Sequence, residues 1–92
     1  MWTLRETARV QRDVPRLSLE IRVKYETWKD VVRFSGPDAL RAIPGYHDEA
    51  LRGSWAGHRS SRLNRQYRVI YRVVRAEVTV DIERVSAHDY RR

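Results

Sequence analysis

Gln66-Tyr67-Arg68-Val69-Ile70-Tyr71-Arg72-Val73-Val74, followed after Arg75-Ala76 by Glu77-Val78-Thr79-Val80-Asp81-Ile82-Glu83-Arg84-Val85, decides the fold. In the first run Tyr67, Val69, Tyr71 and Val73 alternate with Gln66, Arg68, Ile70 and Arg72. In the second, Val78, Val80 and Ile82 alternate with Glu77, Thr79, Asp81 and Glu83. A period of two with one apolar side predicts antiparallel strands covered on that side only. Arg75-Ala76 is the expected hairpin turn, although it lacks the usual Gly or Asn. The uncovered side then carries Arg68 and Arg72 beside Asp81 and Glu83.

Working toward the N-terminus, His58 to Asn64 reads as a further strand. Tyr46 to Trp55 reads as a loop with a short strand near Leu51, and Asp38 to Ile43 as a single helical turn ended by Pro44-Gly45. Before these, Leu17, Ile21, Tyr25, Trp28 and Val32 keep one apolar stripe at helical spacing. Gly36-Pro37 ends that helix. Thr3-x-x-Glu6 matches a capping box and predicts a first helix from Leu4 to about Val14, broken by Pro15. The expectation is an α+β fold over residues 1–92. An N-terminal helical hairpin packs on one face of a small antiparallel β-sheet.

Composition narrows the function. A chain of 92 residues buries only about 60–65% of its unfolded surface, so the core is thin. There is no cysteine, hence no disulfide and no thiolate metal site. No apolar leader and no membrane-length run occurs, so the expected location is cytoplasmic. Residues 1–51 carry nine Lys/Arg against eight Asp/Glu, whereas residues 52–92 carry ten arginines against four acids. Arginine grips phosphate bidentately and stacks on bases, so a polyanion or an acidic protein is the natural partner of the C-terminal half.

The order of Leu51-Arg52-Gly53, Trp55-Ala56-Gly57, Arg59, Arg62-Leu63, Tyr67-Arg68-Val69-Ile70-Tyr71 and His88-Asp89-Tyr90 resembles the RelE/ParE superfamily of bacterial type II toxins. The terminal His-x-Tyr is similar to the ribonuclease branch, the RelE, YoeB, YafQ and HigB types. That resemblance implies an endoribonuclease that cleaves mRNA in the ribosomal A site and is neutralised by a cognate antitoxin protein. The spacings of the histidines and acids match no metal-ligand motif, so no metal is expected, nor a small-molecule cofactor. One departure stands out: the family opens with a β-strand, where this chain shows a capping box.

Metal-free RNA cleavage needs a base for the 2′-OH, cations for the phosphorane and an acid for the leaving 5′-oxygen. Glu49 matches the family's base position, with His47 as a rival in the same loop. His88 matches its C-terminal histidine, and an ordinary pKa of about 6.5 suits proton donation. Arg59 and Arg62 lie three apart on one strand, so they point to opposite faces. Family position favours Arg62 as the phosphate clamp. Arg52, Arg59, Arg68 and Arg84 are the further RNA-binding candidates. Arg84 falls on the apolar side by alternation, at a strand end from which it would have to turn. Tyr90 suits base stacking or phosphate orientation, and Trp55 a stacking platform in a loop. Tyr67 and Tyr71 read as core, and His58 as structural or a phosphate contact. Two other readings remain: a non-catalytic ParE-like toxin acting on a protein such as gyrase, and a simple RNA-binding module.

Overall fold

The computed structural model describes residues 1–87. Five strands form one sheet in the order β1-β5-β4-β3-β2. They are β1 (Thr3–Glu6), β2 (Glu49–Ala50), β3 (Arg59–Arg62), β4 (Arg68–Val74) and β5 (Thr79–Ser86). Helices α1 (Ala8–Asp13) and α2 (Leu19–Ser35) precede all but the first strand. The α+β arrangement is the expected one, with two differences in the N-terminal segment.

The chain opens with a strand, not a helix. Thr3 pairs with Thr79 and Glu6 with Ile82, so β1 runs parallel to β5 at the sheet edge. The Thr3-x-x-Glu6 pattern is not a capping box here. Glu6 turns its carboxylate to Tyr25, whose Oη donates to Glu6 Oε2 at 2.5 Å. The cap is Thr7, whose hydroxyl accepts from Val10 N–H at 3.2 Å, so α1 is two turns or fewer and starts four residues late. Pro15 sits in a 3₁₀ turn over Val14–Arg16, and Ser18 caps α2 by accepting from Ile21 N–H. Gly36, at φ 85°, ends α2 in a conformation that glycine adopts without strain.

The stripe on α2 does what its spacing requires. Ile21, Tyr25, Trp28 and Val32 are buried against Val69, Tyr71, Val80, Ile82 and Val85 of the sheet. Trp28 meets Tyr71 edge-on at 5.3 Å and stacks with Tyr25 at 6.2 Å. The β4–β5 connection is a 3₁₀ turn over Arg75–Glu77 followed by Val78 in the left-handed region, rather than a two-residue hairpin. Among the described residues no helix is long and apolar enough to cross a membrane.

Candidate functional site

Strand register sorts the arginines between the two faces. Residues directly opposite one another on antiparallel strands point to the same side. Glu49 pairs with Ser60, Ser60 with Ile70, and Ile70 with Arg84. One step further along, Arg62 pairs with Arg68 and Arg68 with Ser86. Both rows lie on the face away from the helices. Glu49, Arg62, Arg68 and Arg84 are therefore brought together on one surface.

Arg84 reaches that face through a bulge. Ile70 pairs with Arg84 but Tyr71 pairs with Ile82, so Glu83 is an extra residue in β5. Strict alternation from Val80 and Ile82 would send Arg84 into the core. The extra residue reverses the phase, so Val85 points inward and Arg84 outward. Val85 is 2% exposed, in keeping with that reversal.

The outer face is not purely polar. Ile70 is buried there, and so is Leu51, whose N–H donates to His58 O at 2.9 Å. Neither belongs to the helix-side core. The β2–β3 connection folds over this surface. Gly53, at φ 65°, allows the Leu-Arg-Gly turn, and a 3₁₀ turn over Gly53–Trp55 follows. The Trp55 ring lies 5.2 Å from the Arg84 guanidinium carbon, with His58 edge-on at 5.2 Å. Aromatic ring and guanidinium thus form a stacked pair of the kind that can extend to a base. Arg52 is exposed at the start of the turn.

Two of the surrounding polar atoms are buried without a hydrogen-bond partner among the described residues: Arg62 Nε and His58 Nδ1. Two acids of the described residues are held by arginines. Asp81 receives Arg5 Nε at 2.6 Å and Arg72 at 3.0 Å, and these bonds, Arg5's first, hold its carboxyl below the usual range. Asp38 is likewise lowered by its hydrogen bond from Arg75.

Arg59 is not brought to the arginine face. It pairs with Tyr71 on the helix side, and its Nε donates to Asp48 Oδ1 at 2.7 Å. Ser61 Oγ and Tyr71 Oη donate to Asp48 Oδ2, each at 2.6 Å. Burial, and then the bond to Asp48, pushes the Tyr71 hydroxyl's pKa well up, so it remains a donor. The Asp48 side chain is fully enclosed. The residue sits in a stretch rich in charges and breakers, and only its three donors, far apart in sequence, reveal it. His47 precedes it in the left-handed region, at φ 43°. His88 and Tyr90 lie outside the described residues.

Two clefts are lined by described residues, one of them reaching Arg62. One, of about 340 Å³, lies among Arg9, Asp13, Leu17, Tyr67 and Val85. The other, of about 280 Å³, runs from Val23 and Ile43 to Arg62. Among the described residues no three His, Cys, Asp or Glu side chains gather as a metal site requires.

No protein-family model and no curated protein matches the sequence. Solved structures do match. Escherichia coli BL21(DE3) YafQ superposes with a TM-score of 0.76 at 17% identity, over 96% of this chain and 94% of that one. YoeB in the YoeB–YefM complex of Staphylococcus aureus gives 0.75 at 19%, over 96% and 98%. An archaeal RelE–RelB complex from Pyrococcus horikoshii OT3 gives 0.75 at 16%, over 97% of both chains. The fold is that of the RelE-like toxins, including the opening strand that the capping-box pattern concealed.

Proposed function

We propose that this chain is the toxin of a type II toxin–antitoxin pair and an endoribonuclease that cleaves mRNA, at the ribosomal A site, in the cytoplasm. The observation that carries the reading is the outer face, where register aligns one carboxylate, Glu49, with Arg62, Arg68 and Arg84. A structural basic surface has no need of an exposed acid at its edge, whereas cleavage by the 2′-OH does.

In this mechanism Glu49 takes the 2′-OH proton, and the 2′-oxygen attacks the adjacent phosphorus. Arg62, Arg68 and Arg84 stabilise the added negative charge of the phosphorane. His88 delivers a proton to the departing 5′-oxygen. The products are a 2′,3′-cyclic phosphate and a 5′-hydroxyl end. Tyr90 orients the phosphate or stacks on a neighbouring base, and Trp55, with Arg84 against it, offers a second stacking surface. Arg52 contacts the RNA backbone from the loop. Arg59 serves the site indirectly, through Asp48. No step calls on a cofactor.

An acidic antitoxin segment covering the arginines would occlude RNA and neutralise the charge excess of residues 52–92 at once. The structures of this fold from S. aureus and P. horikoshii are of toxin–antitoxin complexes, which supports expecting such a partner.

The test is cleavage of message in an in vitro translation reaction, mapped by primer extension, alongside growth arrest on induction. Arg62→Ala and His88→Ala are expected to lose about 10²–10⁴ in rate with the fold intact. Glu49→Ala is expected to lose as much or less. If all three arrest growth like the parent without message cleavage, a ParE-like toxin acting on a protein becomes the better reading.

A further inference from the structure

We infer that Asp48 is a positioning residue that aims Glu49. The inference rests on the ribonuclease reading and adds to it the device that holds the base in place. The need for one is plain from β2, which is two residues long and lies at the sheet edge. Two residues of ladder do not fix a strand in water. Glu49 is itself exposed, and among the described residues its side chain makes no hydrogen bond or ion pair that would hold it.

What fixes it is the residue before it. Asp48 points to the helix side, and its carboxylate is met by three donors from two strands. Arg59 and Ser61 come from β3, and Tyr71 from β4. Three bonds of 2.6–2.7 Å from separate directions locate the carboxylate in space, not merely along one line. Consecutive residues of a strand point to opposite faces. Pinning Asp48 below the sheet therefore sends Glu49 above it, opposite Ser60. A slip of one residue would exchange the two acids, exposing Asp48 and burying Glu49. It would also put the longer Glu49 side chain where Asp48 meets Arg59, Ser61 and Tyr71, so the fit of the shorter carboxylate to its three donors favours this register. On the far side, the bond from Leu51 N–H to His58 O holds the exit from β2.

A plain structural anchor and a positioning residue differ in one respect: the second acts through Glu49. The experiment is single-turnover message cleavage with the purified protein and ribosomes, for Asp48→Asn, Tyr71→Phe and Ser61→Ala. Each is made in the parent and in a Glu49→Ala background, with thermal melts as the folding control. In the parent background Asp48→Asn is expected to slow cleavage by about 10–100-fold at unchanged KM, the scale of an ångström's misplacement. Tyr71→Phe and Ser61→Ala each remove one donor of three and are expected to slow it severalfold. In the Glu49→Ala background all three losses disappear. If Asp48→Asn does not fold, Tyr71→Phe and Ser61→Ala carry the same comparison. Equal slowing in both backgrounds overturns the inference, as does parental speed in all three variants when Glu49→Ala alone is slow. Parental cleavage by Glu49→Ala removes Glu49 as the base and the inference with it. A parent that cleaves no message defeats the ribonuclease reading first.

Discussion

Removing Arg84 should change how RNA binding responds to salt, by an amount set by the sorting of the arginines. Arg62, Arg68 and Arg84 lie on the outer face, and Arg52 stands exposed beside it. Four phosphate contacts to a single strand give a slope of log affinity against log salt of about −2.8, at roughly −0.7 per phosphate. Affinity should then fall about 50-fold between 50 and 200 mM salt. Arg84→Ala leaves three contacts, a slope of about −2.1, and a fall of about 20-fold. The assay is fluorescence anisotropy of a labelled single-stranded RNA titrated at four or five salt concentrations. Arg33→Ala, on the outer side of α2 and paired with Asp30 at 2.8 Å, is the control and should leave the slope alone. An unchanged slope for Arg84→Ala, or an equal change for Arg33→Ala, would refute the assignment of the outer face as the RNA surface.

Two further outcomes test the fold. Trp28 is fully buried, yet its Nε1 has no hydrogen-bond partner among the described residues. Trp28→Phe loses roughly 2 kcal/mol of apolar contact, at ~0.8 kcal/mol per methylene-sized group, and is relieved of an unsatisfied donor worth about 1–3 kcal/mol. It should therefore sit within about 1 kcal/mol of the parent in urea unfolding, while Trp28→Ala should cost about 3–5 kcal/mol; equal costs for the two would contradict this packing. Asp81 has its pKa lowered in the fold, so its contribution is present at neutral pH and is lost as pH falls below about 4, where the unfolded carboxylate already takes up its proton. Asp81→Asn should lower stability at pH 7 and flatten the acid limb, read by melting temperature against pH.

The two long strands were legible because alternation is a local signal, and so was the α2 stripe. The parts that were hidden each have a physical reason. Thr3 and Glu6 imitate a capping box, but Glu6 faces Tyr25 and Thr3 faces Thr79, partners 19 and 76 residues away. Arg84 read as inward because a period of two cannot anticipate the bulge at Glu83. The opposition of Arg59 and Arg62 followed from their spacing, yet which of them met the helices depended on Asp48. Asp48 lay within the stretch read as a loop and drew no reading of its own, since its donors Arg59, Ser61 and Tyr71 converge only when β3 and β4 are side by side. Register puts Glu49, Arg62 and Arg68, three of the residues singled out in the sequence, on one face of the sheet.

The parallel pairing of β1 with β5 ties the order of synthesis to the order of assembly. The first strand of the sheet in chain order is joined to the last, Thr3 to Thr79. At about 5–20 residues per second, β1 waits roughly 4–15 s for its only neighbour in the sheet. Arg84 belongs to that same final strand. A nascent chain ending before β5 holds neither a closed sheet edge nor a complete outer face.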